Sequence, residues 1–376
     1  MRRVYFDHHA ATPLDPRVHK ALLELGDTTW ANASSVHAEG RKSRALIERA
    51  REQIAHAIAG MPADLVLTSG GTEACNLGVL ALHALRPGAH IVTTPIEHPA
   101  VAEPIAQLEQ SGRVRVTRLA LPAGRTPEPS ELAALLRPDT AFCALQWVNH
   151  ELGTLLPIAA YASVCRSAGV PLFVDATQAL GKLPISVRDL DVDMLALASH
   201  KIGGPAGAGA LWIKRGLDVA PLVRGGGQER GRRAGTPDVR ALAGFGFASE
   251  LAAERIASMP RIAALRDRLE DALLQLGALR NAPEAARVAT ASNVFWPGRR
   301  SDVMVSALDL EGVAVSAGAA CSSGKSEPSP VLLAVHPDEP ARAEASTRFS
   351  IGPEVSENDV DFAVACCARV VARPAV

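Results

Sequence analysis

Over much of its length the chain alternates short apolar runs with longer amphipathic stretches. Seven runs of strand length lie at 65–68, 90–93, 114–119, 141–148, 171–174, 194–198 and 209–213, most of them apolar on both faces. Helical periodicity fills most of the intervals, as at 72–85 and 99–110. Fully apolar strands separated by helices predict an α/β protein with a mostly parallel seven-stranded sheet covered on both faces. Ligands of such sheets sit at the carboxyl ends of the strands. Ahead of the sheet, 4–7 reads as a short strand, 17–25 as a helix and 41–59 as a long amphipathic helix stopped by Gly60. Beyond the glycine-rich run 225–235 the rhythm changes. One or two long helices at 241–276, strands at 287–295, 313–316 and 347–350, and helices at 302–310 and 358–371 predict a smaller α+β lobe hinged near residue 245.

Each predicted strand end carries a polar group. After 65–68 comes SGGTEACN, with glycines that let the backbone approach a ligand and a helix start near Gly71 and Thr72 that suits a phosphate. After 90–93 comes Glu97-His98-Pro99, and a histidine there can lie against a flat ring and exchange protons. Asn149 follows 141–148 and can offer an amide to a carboxylate or phenolate. Asp175, with Gln178 after it, follows 171–174. A carboxylate at the end of a buried strand needs a cationic partner. No lysine or arginine adjoins it in sequence, and a protonated pyridine nitrogen would serve. After 194–198 comes Ser199-His200-Lys201 and a loop of glycines, where a partly desolvated lysine amine becomes a usable nucleophile. Taken singly each feature has a bland reading as turn or loop chemistry. Taken jointly, a lysine for an imine, an acid for a pyridinium, a phosphate cup and a ring-stacking histidine describe a pyridoxal phosphate site.

Length and composition narrow the setting. At 376 residues the chain exceeds one ordinary core, so two lobes are expected. The expected domains are 16–245, which binds the ligand, and 1–15 with 246–376, which carries a cysteine loop at about 317–330. Thirty-nine Lys plus Arg nearly cancel 40 Asp plus Glu, leaving no overall field to attract nucleic acid or anionic lipid. No apolar run approaches bilayer length, and MRRVYFDHH lacks the apolar core of a signal peptide. A cytoplasmic protein without membrane contact is expected. The six cysteines lie at 75, 143, 165, 321, 366 and 367 without CxxC or zinc spacing, so no metal site is expected and the thiols should be reduced. Cys321 stands apart in a small-residue, glycine- and proline-rich segment.

Ten ordered stretches carry a resemblance over nearly the whole chain: YFDHHAATPLDPRV, NASSVHAEG, TSGGTEACN, EHPAV, VNHELGT, VDATQALGK, SHKIGGPAGAG, GGGQERGRRAGTPD, SAGAACSSGKSEPSPVL and STRFSIG. The sequence resembles the class V enzymes of pyridoxal phosphate fold-type I, and within them the cysteine desulfurases of the NifS/IscS kind. The resemblance implies that Lys201 holds pyridoxal 5'-phosphate covalently, Asp175 pairs with the pyridine nitrogen, Gln178 contacts the ring hydroxyl and His98 stacks on the ring. It implies a phosphate site at Gly71, Thr72, Ser199 and His200, joined by Thr236 from the second subunit of a homodimer. Asn149 and Arg348 would fix the carboxylate of L-cysteine, and Cys321 would take its sulfur as a persulfide, with His98 as the candidate to activate the thiol. A persulfide-accepting protein, such as an iron–sulfur scaffold, is the implied partner. The chain departs from the family pattern at Ala198, where serine is usual, at His150 and at Pro353. Selenocysteine lyase and class V aminotransferase are the competing activities, and a sulfur-delivery scaffold that has kept the fold is the competing non-enzyme.

Overall fold

The computed structural model describes residues 2–26, 29–86, 90–318 and 328–374. Cys321 lies outside the described residues. After the short strand β1 (Val4–Tyr5), helix α1 (Pro16–Glu24) starts where Asp15 accepts a hydrogen bond from the Arg17 amide and Pro16 takes a position that needs no N–H. Helix α2 (Ala38–Ala57) is capped by His37, whose Nδ1 accepts from the Gly40 amide at 3.2 Å. The alternating part follows as β2 (Leu65–Thr68), α3 (Gly71–Leu85), β3 (His90–Thr93), α4 (Pro99–Gln110), β4 (Arg115–Arg118), α5 (Pro129–Leu135) and β5 (Thr140–Gln146). It continues through α6 (Ile158–Ser167), β6 (Leu172–Asp175), α7 (Val187–Leu190), β7 (Met194–Ala198) and β8 (Gly209–Ile213).

These seven strands form one sheet in the order β2-β8-β7-β6-β5-β3-β4. Neighbours from β7 through β4 run parallel, while β8 is antiparallel to both β7 and β2. The loop between β7 and β8 is too short for a crossover helix, so β8 must return antiparallel. Strands β2, β3 and β5 to β8 are buried at every position, which is why they read as unbroken apolar runs. Edge strand β4 is only partly covered and carries Arg115 and Arg118, charges that keep an edge from pairing with another chain.

The remaining elements are α8 (Val239–Glu250), α9 (Ala252–Ala257), α10 (Met259–Gln275), β9 (Leu279–Arg280), β10 (Ala291–Phe295), α11 (Ser301–Leu310), β11 (Val313–Ala314), α12 (Pro330–Val335), α13 (Ala341–Glu344), β12 (Ser346–Ser350) and α14 (Glu357–Val371). Strands β12, β10 and β9 form an antiparallel sheet, and β1 pairs with β11 in parallel. Two expectations need correction here. The span 241–276 is three helices, broken at Leu251 and Ser258, with Pro260 in the first turn of α10. The strand expected from 287 starts at Ala291, because Arg287 bridges to Thr154 and its guanidinium forks onto buried Glu270 at 2.5 and 2.9 Å.

Helix α3 lies close on the sheet. A Cβ at Gly78 would stand 2.4 and 2.6 Å from the ring carbons of Phe173 on β6, distances no real Cβ adopts. Gly78→Ala should therefore cost about 1–3 kcal/mol, the usual range for overpacking. Urea denaturation of the purified variant checks this, and an unchanged or raised midpoint would show that the helix can back away.

Candidate active site

The carboxyl ends of β5, β6 and β7 and the start of α3 surround a cavity of about 160 Å³. Gly71, Thr72, His98, Asp175, Gln178, His200 and Lys201 all line it, so seven residues singled out from scattered strand ends meet in one space. Lys201 closes the turn Ser199–Lys201 after β7, and its Nζ donates to the carbonyls of His9 at 2.5 Å and Ala10 at 2.9 Å. Asp175 ends β6, is buried, and accepts from the Thr177 amide at 2.9 Å. Among the described residues no lysine or arginine pairs with it. Gln178 donates Nε2 to the His9 carbonyl at 2.8 Å.

At the other end of the cavity α3 begins without a side-chain cap, so its first-turn amides have no side-chain acceptor. A Cβ on Gly71 would stand 2.9 Å from Thr177 Cγ2 and 3.1 Å from Ala198 Cβ, so only glycine leaves room there. His200 has its pKa lowered to about 4 by burial, with Lys201, Lys182 and His98 adding to the effect. It is a neutral imidazole at neutral pH and can donate one N–H.

His98 caps α4, its Nδ1 accepting from the Ala100 amide at 3.0 Å. Burial lowers its pKa; Asp175 acts the other way and Lys201 adds to the lowering. A neutral ring whose Nδ1 accepts carries its proton on Nε2. The lone pair that would deprotonate a thiol is thus spent on the backbone, and His98 is set to give a proton more readily than to take one. The edge of His150 packs on it, with ring centroids 5.0 Å apart at 78°.

Other expected site residues lie elsewhere. Ser199 does not face the cavity: its hydroxyl is buried and unpartnered among the described residues, and a Cβ on Gly204 would meet it at 2.2 Å. Ala198, the last residue of β7, lines the cavity, while Ser199 opens the turn that follows and points behind it. Asn149 is consumed by its own turn: Oδ1 accepts from the Glu151 and Leu152 amides, and Nδ2 donates to the Ile96 carbonyl and Gln146 Oε1. Arg348 is buried behind the cavity wall, donating to Asp7 Oδ1 at 2.6 Å and the His150 carbonyl at 2.7 Å. Thr236 lines a separate surface hollow of about 140 Å³ with Ser69 and Arg233. The Arg233 guanidinium grips Glu73 in the first turn of α3 at 2.7 and 3.1 Å, which sets this loop beside the start of that helix.

Several residues that the sequence did not single out belong to the site. Gln146, Cys75 and Thr177 line the cavity. Glu97 lies beneath it: its Oε1 accepts from the Thr94 hydroxyl at 2.6 Å and the Gln146 amide at 3.1 Å, while Oε2 has no partner among the described residues. Burial pushes its carboxyl up to about 8, with Asp175 adding to the rise and those two hydrogen bonds opposing it. The adjacency of Glu97 to His98 was the available signal, but a charged residue in a loop ordinarily reads as solvated.

A seven-stranded sheet with a lysine, an unpaired buried acid and an uncapped helix start at its strand ends defines a protein of the pyridoxal phosphate fold-type I class, and these residues fit that group. The chain belongs to the aminotransferase class-V family, which residues 4–362 match. A cysteine desulfurase of Bradyrhizobium diazoefficiens is 38% identical over 98% of this chain and 95% of its own length. An IscS-like cysteine desulfurase of Mycobacterium tuberculosis is 37% identical over 98% of this chain and 96% of its own. A solved NifS-like protein superposes with a TM-score of 0.91 at 29% identity, covering 98% of this chain and 99% of that one. A structure described as SspA in complex with cysteine superposes at 0.80 with 32% identity, over 93% and 99%.

Glu97 supplies a pH test. Its folded pKa of about 8 lies above the ordinary glutamate value of 4.5. The stability gained from burying it neutral is therefore complete at acid pH and lost as pH rises towards 8. Glu97→Gln keeps the acceptor and cannot ionise, so its melting temperature should climb relative to wild type between about pH 5 and 8. Parallel pH profiles in thermal melts would mean that Glu97 is ionised throughout.

Proposed function

We propose that this chain is a cysteine desulfurase that removes sulfur from L-cysteine and leaves L-alanine, with pyridoxal 5'-phosphate as its cofactor. The observation that carries the reading is the meeting of Lys201, Asp175, His98, Gln178 and the uncapped start of α3 in one cavity. Lys201 would hold the aldehyde carbon of the cofactor, Asp175 its pyridine nitrogen, Gln178 its ring oxygen and His98 one face of its ring. Gly71, Thr72 and His200 would hold the phosphate, with Thr236 supplied by a second copy of the chain. The bound cofactor supplies an electron sink beside the substrate Cα.

The chain's own groups do the rest. The Lys201 amine takes the Cα proton, and Asp175 holds a positive charge at the far end of the ring. His98 gives its Nε2 proton where negative charge collects on the substrate. Arg348, paired with Asp7, would take the substrate carboxylate, and Asn149 orders the turn that carries His150 beside it. The Cys321 thiolate attacks the sulfur of cysteine. A new S–S bond forms as the Cβ–S bond breaks, the electron pair stays with the carbon skeleton, and added protons complete alanine. The flanks of the Cys321 segment support this. Ser316 exchanges both backbone hydrogen bonds with Arg348, and the Ser329 hydroxyl donates to buried Glu151 at 2.6 Å.

We infer further that residues 16–245 form the cofactor-binding domain and that 1–15 with 246–376 form the smaller one. This fits the separate apolar core that Val4 and Phe6 share with α10, α11 and α14. No described helix is long and apolar enough to cross a membrane. The protein is read as a cytoplasmic homodimer that passes its persulfide to an acceptor protein, such as an iron–sulfur scaffold.

Purified protein given pyridoxal phosphate and L-cysteine should release sulfide and alanine in equal yield. Lys201→Ala should lose both the covalent chromophore and turnover. Cys321→Ser should keep the chromophore and lose sulfide transfer by at least about a hundredfold. Unchanged turnover in Cys321→Ser, or a requirement for a keto acid, would instead identify a transaminase. Arg348→Lys should raise KM for cysteine by about tenfold, since an ammonium cannot reproduce a bidentate grip.

A further inference from the structure

Lys182 is buried and ionisable, and no step described so far uses it. It lies one turn beyond Gln178 and is 8% exposed. Its Nζ donates to Gln178 Oε1 at 2.5 Å. Among the described residues no carboxylate is within ion-pairing distance, and the charged or titratable groups that face it are Lys201, Arg348, Arg255, His8 and His9. Burial, reinforced by the three cations, pushes its ammonium well below the ordinary lysine range. A buried amine among cations is an expensive thing to keep, and its one side-chain hydrogen bond among the described residues points to its use.

That contact and the His9 carbonyl together fix which way the Gln178 amide faces. The two ends of a side-chain amide are nearly the same shape, so only their partners distinguish them. On one side the His9 carbonyl can only accept, and it receives Nε2 at 2.8 Å. On the other side Lys182 donates to Oε1. With both in place Oε1 is held by Lys182, Gln178 lines the cavity, and the amide nitrogen keeps a second hydrogen for an acceptor there.

We propose that Lys182 is a positioning residue which, by holding Gln178 Oε1, makes the amide present N–H rather than C=O to the ring oxygen of bound pyridoxal phosphate. This rests on the functional reading above. An N–H donor favours the anionic form of that oxygen, and a carbonyl in the same place would repel it. The visible absorbance of the loaded protein follows the proton shared between this oxygen and the nitrogen of Lys201. With the donor misplaced that proton is held more tightly, so the midpoint of the titration moves up.

The test uses the loaded full chain. Lys182→Met should raise the midpoint of the absorbance titration by about one pH unit. It should also weaken retention of pyridoxal phosphate roughly tenfold, the size expected for one misplaced hydrogen bond. Lys182→Gln, which still donates an N–H, should move the midpoint less than half as far. In a Gln178→Leu background, Lys182→Met should add no further shift, which a merely structural lysine would not obey. A Lys182→Met midpoint equal to wild type, with equal cofactor retention, overturns the proposal. If Lys182→Met does not fold, Lys182→Ala, which also removes the donor, carries the test alone: an upward shift supports the proposal and an unmoved midpoint overturns it. A wild-type protein that takes up no pyridoxal phosphate overturns the functional reading, and this inference with it.

Discussion

The carbonyl oxygens of His9 and Ala10 both receive the Lys201 amine, and the rest of the site is arranged around that tie. It brings the strap 7–12 across the carboxyl ends of the strands, where Thr12 adds bonds to the carbonyls of His200 and Lys201. The same strap is fastened to the smaller sheet. The Ser350 amide donates to the Phe6 carbonyl, the His9 amide to Ser350 Oγ, and Arg348 pairs with Asp7. A dozen residues at the start of the chain therefore set the distance between the lysine on β7 and the arginine on β12. Displacement of the strap would disturb both at once, although neither sits on it.

Charge is sorted around the cavity. Asp175 and Glu97 lie together at the ends of β6 and β3, and burial keeps the proton on Glu97. Lys182, Arg255 and Arg348 lie on the opposite side, behind Lys201, where Lys182 and Arg255 have their pKa lowered by burial. Each group alone would be a costly burial. Together they make a cavity that favours a ligand with positive charge at one end and negative charge at the other. A pyridinium ring that bears an anionic oxygen has that layout.

The chemistry legible in the sequence was the chemistry that sits at strand ends. Lys201, Asp175, His98, Thr72 and Gln178 each follow an apolar run, and the parallel sheet brings all such ends to one edge. Ser199 misled because the chain leaves the strand at Ala198, and in the turn that follows the serine hydroxyl faces Gly204. Asn149 and Arg348 are close to the site, but their first partners are backbone groups and an acid of this chain, which no spacing reveals. Glu97, Gln146 and Lys182 escaped notice for the opposite reason. Glu97 and Lys182 in short connections, and Gln146 at the end of β5, are isolated polar residues that read as solvated, and only the packed structure shows them buried. The breaks at Leu251 and Ser258 were hidden because both residues keep near-helical angles and only Pro260 marks the sequence.

Ala198 bears on how the site would hold an anion. Its methyl group is the nearest neighbour from β7 to Gly71 and stands where the family pattern has a hydroxyl. The serine one position on cannot stand in, because its Oγ faces Gly204 across the back of the turn. An anion at this end must then draw on the free amides of α3, on the Thr72 hydroxyl and on a neutral His200, which gives one N–H and no charge. None of these is a full positive charge, so the fixed dipole of a fifteen-residue helix is the main attraction. Such a site depends on close approach more than on field strength. That explains why the position where a side chain would intrude is glycine, and why its neighbour across the gap can be no larger than alanine without giving something back in hydrogen bonds.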